Sequence, residues 1–375
     1  MIRVLGIAPY KILPARNGGE RYITSFFAAL AGFCKLEVVS VRRNEAPALP
    51  YTLHRLFSDS PTRYINPLNV FKLARLVKQQ KAQVVLLEHP YMGWMAILLK
   101  LFTGVPFVVQ SHNIEAQRFK TIGKWWWRGL AIYEGYIHRR AAFSFFITQA
   151  DADYAITHYG VHPSRASVVT FGMEAPEIKD RERYRQQLLT AHNLAPDTFI
   201  YQFNGALGYP PNANAVQHIV ADVLPRLSQR ASFPFVILIC GGNLPGHLQQ
   251  AIAATNGKVI YTGFVASIED YLLGSGMFIN PVMTGGGIKT KLVEAIANGL
   301  TAISCESGAT GVPATIAAPK LKVVPDHDWD AFVAAMLQTQ DAQTPVPESF
   351  KTYFDWKNIA REAAGKLEHT AHNTL

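Results

Sequence analysis

Short apolar runs alternate with segments of helical spacing along most of the chain. Val4–Ala8, Leu36–Val41, Val84–Leu87 and Phe107–Gln110 have strand length and strand composition. Tyr22–Phe33 has helical spacing, and the pattern predicts a helix over Val70–Lys81 with Phe71, Leu73, Ala74, Leu76 and Val77 on its apolar side. Met92–Val109 is the longest apolar stretch. Lys100 interrupts it and Thr103-Gly104-Val105-Pro106 is a turn signal, so it divides into a helix and a strand. Strands separated by helices of this length predict a parallel sheet with right-handed crossovers.

A polar, charged stretch containing Pro176, Glu174–Arg185, reads as an interdomain linker running into a helix, and the alternation then restarts. Phe199–Phe203, Phe235–Cys240, Val259–Tyr261, Met277–Ile279 and Thr301–Ser304 are the β-prone runs of this second half. The last segment, Trp356–Leu367, is apolar at 356, 359, 363 and 367, with Asp355 as N-cap. The expected architecture is α/β: an N-terminal Rossmann-like domain over residues 1–172, a second over 173–354, and a C-terminal helix over 355–375 packing back on the first. Ligands of such sheets bind beyond the carboxyl ends of the strands. Two domains facing each other therefore predict a cleft.

The chain has 375 residues, 49% hydrophobic and 17% charged, enough for two buried cores. Its net charge of +9 is uneven. Residues 1–172 carry 21 Lys+Arg against 9 Asp+Glu, and the remainder 15 against 18, so the positive excess belongs to the first half. That asymmetry predicts an anionic partner for the first domain. Cys34, Cys240 and Cys305 have no pairing or metal spacing and read as reduced core thiols. Met1–Pro9 lacks a secretory cleavage pattern, which predicts a cytoplasmic protein.

The segment most informative about chemistry is Pro281–Gly299. Gly285, Gly286 and Gly287 let the backbone approach a ligand closely, and a helix follows that stops at Gly299. Free N–H groups and the helix dipole favour phosphate at such a turn, and Lys289 and Lys291 add full charges. Thr290, Lys291, Glu294 and Asn298 share one helical face, with Glu294 one turn behind the loop, where a carboxylate can accept hydrogen bonds from ribose hydroxyls. The plain alternative is a glycine turn beside a surface Lys–Glu pair.

This segment resembles the donor-site signature of retaining glycosyltransferases of family four, which have the GT-B fold. The resemblance extends over nearly the whole chain. Asn204-Gly205-Ala206-Leu207-Gly208-Tyr209 with Pro211-Asn212 resembles the family's opening of the second domain. Thr262-Gly263-Phe264-Val265 and Gly308-Ala309-Thr310-Gly311 resemble its later landmarks. Gly18-Gly19-Glu20-Arg21, behind Asn17, and Ser111-His112-Asn113-Ile114-Glu115 stand where the family has its glycine loop and cleft histidine. The resemblance implies that Glu294 holds the ribose. Gly286, Gly287, Ile288 and Lys289 meet the diphosphate and sugar, with Lys291 in support. Phe264 and Val265 line the base pocket, Gly18 and Gly19 approach the phosphates, and His112 reaches the transferred sugar. The catalytic set is then His112, Lys289 and Glu294. The chain departs from the family at Gly286, where many relatives carry a glutamate, and lacks their Arg and Lys at the opening of the second domain.

His112 follows an apolar strand within His-Asn-x-Glu, which suits polar contact to sugar or leaving phosphate rather than service as the sole base. It also fits a hydrogen-bonded structural histidine. His89 reads equally as structural or as an acceptor contact. Glu115 reads as an orienting partner of His112, an acceptor contact or a solvated loop residue. Asp151-Ala152-Asp153 and Asp326-His327-Asp328 each precede a helical pattern, so capping and the dipole explain them without a metal. In 118–128, aromatic rings alternate with Arg118, Lys120, Lys124 and Arg128, a pattern suited to an anionic membrane surface. The alternative is that Trp125, Trp126 and Trp127 are core. No nucleic-acid motif accompanies them.

The sequence thus predicts a metal-independent glycosyltransferase moving a sugar, with retention, from a nucleotide-sugar, a UDP- or GDP-sugar, to a glycan or lipid-linked acceptor. The expected setting is the cytoplasm, peripherally on the inner membrane. Two alternatives stay open: a nucleotide-sugar epimerase on the same fold, and a non-catalytic relative, for which Gly286 is the argument.

Overall fold

The computed structural model describes residues 1–15, 18–45, 48–174, 180–338 and 344–372. Asn17, Pro176 and the last three positions of the expected C-terminal helix lie outside them. The chain divides into two compact units, Met1–Met173 with Phe354–Leu375, and Glu174–Tyr353.

The first unit is built on β1 (Arg3–Ile7), β2 (Lys35–Val41), β3 (Thr52–Phe57), β4 (Val84–Glu88), β5 (Phe107–Ser111), β6 (Phe143–Phe146) and β7 (Ala166–Val168). The order is β3-β2-β1-β4-β5-β6-β7, all parallel. β4 and β5 are buried on both faces, which is why they read as unbroken apolar runs. The helices are α1 (Gly18–Leu30), α2 (Leu68–Gln80), α3 (Gly93–Thr103), α4 (Glu115–Thr121), α5 (Trp127–Arg140) and α6 (Gln149–Tyr159). One core cluster joins Val70, Leu73 and Val77 of α2, Met95 and Leu99 of α3 and Ile137 of α5 to Leu5, Val39 and Leu87 of the sheet. These three helices therefore cover the same face.

One sequence expectation fails in α2. Phe71, assigned to the apolar side, is 63% exposed and stacks on Phe102 of α3 with ring centroids 5.9 Å apart. The buried stripe is Val70, Leu73, Leu76 and Val77, and a residue 100° round from Val70 falls off it. The tryptophans of 118–128 are not core either: Trp125 is 88% exposed, Trp126 is exposed and Trp127 is half-buried.

The second unit runs through α7 (Arg181–Ala191), β8 (Phe199–Asn204), α8 (Pro210–His218), α9 (Leu224–Arg230), β9 (Phe235–Cys240), α10 (Gly246–Ala253), β10 (Val259–Gly263), α11 (Ile268–Gly274), β11 (Met277–Asn280), α12 (Thr290–Ala297), β12 (Thr301–Cys305), α13 (Ala314–Ala317), β13 (Leu321–Val324), α14 (Trp329–Gln338) and α15 (Glu348–Tyr353). Its parallel sheet has the order β10-β9-β8-β11-β12-β13. The order reverses between β8 and β11 here, and between β1 and β4 in the first unit. Loops diverge at such a switch point and leave a crevice at the strands' carboxyl ends.

The chain then returns to the first unit as α16 (Trp356–His372). Asp355 caps it, its Oδ1 accepting from the Asn358 N–H at 2.8 Å. Trp356 packs on Tyr22 and Phe26 of α1 and on Phe171, at 5.5, 6.4 and 5.8 Å between rings. Cys34, Cys240 and Cys305 are buried and unpaired, as their spacing predicts.

Candidate active site

In the second unit the candidate residues gather on both sides of the switch point. β11 ends in Asn280, whose amide donates to Ser304 Oγ at 2.9 Å and to the Gly308 carbonyl at 3.0 Å. The chain then turns through Gly285 and Gly287, both left-handed at φ 88° and 68°, conformations that a side chain would strain. α12 starts at once, with its first N–H groups at the turn. Its N-cap, Lys289, makes no side-chain cap. Instead its ammonium folds back and donates to the carbonyls of Gly285 at 2.9 Å and Gly287 at 3.0 Å. Lys289 thus places its charge on the loop and helps fix the loop's shape.

Lys291 points the other way, toward the loop that follows β8. Its ammonium donates to Asn212 Oδ1 at 2.6 Å and lies 4.3 Å from the centre of the Phe203 ring. The Asn212 amide in turn donates to the Ala206 carbonyl at 2.9 Å. A Cβ on Gly205 would stand 2.8 Å from that amide and 3.2 Å from the ammonium, so glycine is what permits the approach. Burial, and then the neighbouring charge of Lys289, lowers the Lys291 pKa to about 7, with Glu294 opposing. Glu294 is half-buried on the polar side of α12, while Leu292, Val293, Ala295 and Ile296 are in the core. Gly285, Lys289, Lys291, Glu294 and the Asn204–Asn212 loop therefore belong to one locality. Gly286, Gly287 and Ile288 lie within its turn. Phe264 and Val265 follow β10 at the sheet's edge. Phe264 is 85% exposed, with its Cβ 4.0 Å from where a Cβ on Gly242 would be.

In the first unit, Gly18 and Gly19 open α1, so their N–H groups are among the unpaired donors of a helix N-terminus. One turn later Tyr22 meets the His112 ring edge-on at 4.6 Å. His112 is nearly fully buried at the end of β5, its Nε2 2.7 Å from Glu88 Oε2 at the end of β4. Burial pushes the Glu88 carboxyl up and the His112 imidazole down, the latter to about 3. Both directions favour the uncharged pair, with the carboxyl donating to Nε2 and the imidazole N–H on Nδ1. His112 is then a neutral hydrogen-bond donor. His89 lies beside it, ring centroids 4.2 Å apart, with its Nε2 2.8 Å from the Tyr10 hydroxyl. Burial, then His112 and Arg118, hold His89 neutral as well.

Glu115 does not orient His112. Its Oε1 is 3.6 Å from His89 Nδ1 and its Oε2 accepts from Arg118 at 2.7 Å. Glu88 takes the role that the sequence left between alternatives. A carboxylate ending the apolar run Val84–Leu87 carries the signal, because a buried carboxyl needs a partner. Tyr10 and the Lys291–Asn212 bond have no comparable signal. The aspartate strings stand at helix starts: Asp151 and Asp153 lie in the first turns of α6, which Thr148 caps, Asp326 Oδ1 accepts from the Ser307 N–H at 3.0 Å, and Asp328 caps α14. Thr148 Oγ1 accepts from the Asp151 N–H at 3.1 Å and Asp328 Oδ1 from the Ala331 N–H at 2.9 Å.

Family models match both halves of the chain. The family described as Glycosyltransferase Family 4 matches residues 16–174, and that described as Glycosyl transferases group 1 matches residues 199–341. No curated protein matches the sequence. Among solved structures, Anabaena HepE in complex with UDP is similar at a TM-score of 0.73 and 15% identity, covering 98% of this chain and 100% of that one. Sucrose-phosphate synthase from Thermosynechococcus elongatus is similar at 0.68 and 15%, covering 100% and 97%. The lipopolysaccharide outer core galactosyltransferase WaaB is similar at 0.66 and 12%, covering 100% of both chains. With a glycosyltransferase family model over each unit and a shared fold along its length, this chain is a glycosyltransferase with the GT-B fold.

Proposed function

We propose that this enzyme takes a UDP- or GDP-sugar on its second unit and transfers the sugar, with retention, to a glycan or lipid-linked acceptor held by the first. The observation that carries the donor assignment is the Gly285–Lys289 turn running into α12, with the Lys291 ammonium beside it. Backbone N–H groups and two lysines oppose charge on a departing diphosphate without a metal, and such fixed dipoles act without reorganising during the reaction. UDP is favoured over GDP because HepE forms complexes with UDP and with UDP-glucose. Glu294 holds the ribose, Phe264 and Val265 take the base, and the turn and Gly18–Gly19 serve the phosphates. His112 donates to the sugar or leaving phosphate. A membrane-presented acceptor is supported by the basic first half, by the exposed rings of 118–128 and by the lipopolysaccharide substrate in the name of WaaB. The proposed location is the cytoplasmic membrane face; no helix among the described residues is long and apolar enough to cross a membrane.

Calorimetric titration with UDP, GDP, ADP and CMP tests the reading. One nucleotide should bind selectively, and Glu294→Ala should weaken it by about 1.5–3 kcal/mol, as for a hydrogen bond to a charged group, roughly ten- to a hundredfold in Kd. An unchanged affinity in the variant would sink the ribose assignment.

A further inference from the structure

Between Pro61 and Gln149 the chain carries twelve Lys and Arg and three carboxylates, Glu88, Glu115 and Glu134. All three glutamates are fully buried, so the exterior of this stretch presents cations and no acidic group. The same stretch holds most of the exposed large apolar side chains among the described residues: ten of fourteen lie between Ile65 and Tyr136. They are not scattered. Leu68 and Phe71 stand on α2, Leu101 and Phe102 on α3, and Ile132 and Tyr136 on α5, the three helices that cover one face of the first sheet. The Phe71–Phe102 stack joins two of them directly. Lys72 and Arg75 are exposed on α2, and Lys100 stands half-buried on α3.

We propose that the outer face of the α2–α3–α5 layer, centred on the Phe71–Phe102 stack, docks on an anionic lipid bilayer. A bilayer interface matches both halves of this surface at once. Its headgroups meet the exposed cations of this stretch, and its acyl boundary takes aliphatic and phenyl groups that water disfavours. Exposed apolar groups that pack on one another, as Phe71 does on Phe102, mark interaction sites more than singly scattered ones do. The absence of any exposed carboxylate from Pro61 to Gln149 selects a uniformly negative partner over a protein surface of mixed charge. The inference deepens the membrane reading proposed for 118–128, and it places the main insertion on α2 and α3 rather than on that segment.

The test is co-sedimentation of the full-length protein with phosphatidylcholine vesicles, with and without phosphatidylglycerol. Wild type should bind only the anionic vesicles, less so as salt is raised. Phe71→Ser/Phe102→Ser should weaken binding roughly tenfold or more, from the lost apolar burial, and Lys72→Glu/Arg75→Glu should weaken it independently. Both phenyl rings are more than half exposed, so folding should persist, checked by thermal melting and by UDP titration. Undiminished binding of the Phe71→Ser/Phe102→Ser protein overturns the proposal, as does a loss seen only with Trp125→Ser/Trp126→Ser. A concentration-dependent dimer abolished by the phenylalanine changes, with no vesicle binding, would assign the face to a second copy of the chain instead. UDP binding reports on the donor site separately, so its loss with vesicle binding intact counts against the proposed function alone.

Discussion

Glu88 Oε2 lies 2.7 Å from His112 Nε2 across the carboxyl ends of two adjacent strands, and both groups are buried. This bond decides which face of the imidazole offers a proton. With Nε2 engaged by the carboxyl, Nδ1 carries the N–H that a ligand can meet. Glu88 acts through His112 and is a positioning residue. Glu88→Ala should lower turnover roughly 10- to 100-fold, the cost of one well-placed hydrogen bond of about 1.5–3 kcal/mol. Glu88→Gln should recover much of it, because an amide N–H can donate to the same nitrogen. His112→Ala should lower turnover with nucleotide affinity retained. The tautomer is readable by nitrogen NMR: His112 should stay neutral with its proton on Nδ1 from about pH 5 to pH 8, since its pKa is pushed down to about 3. Titration of His112 near its ordinary value of roughly 6.5 would show that the pair does not exist in solution.

The legible and illegible parts of this chain differ for physical reasons. β4, β5, β8 and β9 are interior strands of parallel sheets and therefore read as apolar runs. Edge strands escape that rule. β3, Thr52–Phe57, is exposed or half-buried over most of its length, and β13, Leu321–Val324, exposes Lys322 and Val323, so neither produces a run. Phe71 reads as core in the sequence yet falls outside it, because hydrophobicity alone does not separate a position on the buried stripe from its chain neighbour off it. The glycine turn and the place of Glu294 on the polar side of α12 are legible because both lie within ten positions, 285–294, where helical spacing alone fixes their relation. The Lys291–Asn212 bond spans 79 positions and the Glu88–His112 bond 24, and no local pattern specifies such pairs.

Gly172 and Trp356 make the seat of the C-terminal helix testable. A Cβ on Gly172 would overlap the indole, coming within 2.6 Å of Cε3, and Trp356 itself is nearly fully buried against Tyr22, Phe26 and Phe171. Gly172→Ala should destabilise by about 1–3 kcal/mol through overpacking. Trp356→Ala should cost about 3–5 kcal/mol through the cavity it leaves. Urea unfolding of the first unit, read as a lowered midpoint at constant slope, checks both. Tyr22 touches both Trp356 and His112, so the Trp356 variant should also broaden the His112 resonances.

Lys291 predicts how donor binding responds to pH. Its pKa of about 7 in the free protein comes first from burial and next from Lys289. A bound diphosphate stabilises the ammonium and raises that pKa. Binding then takes up a proton wherever the pH lies between the free and bound values. Affinity should therefore be fullest below about pH 7 and fall as pH rises through it, by at most about tenfold per pH unit for one proton. UDP-glucose is the suitable probe, because its bridging diphosphate does not titrate in this range. Calorimetry in buffers of different ionisation enthalpy should show net proton uptake near pH 8, and Lys291→Met should abolish the uptake and flatten the profile. Affinity that is level or rising from about pH 7 to pH 9 in the wild type would mean that the Lys291 ammonium does not meet the diphosphate. The charge would then have to come from Lys289 and the N–H groups of the turn, leaving the Lys291–Asn212 bond a purely structural tie between α12 and the loop after β8.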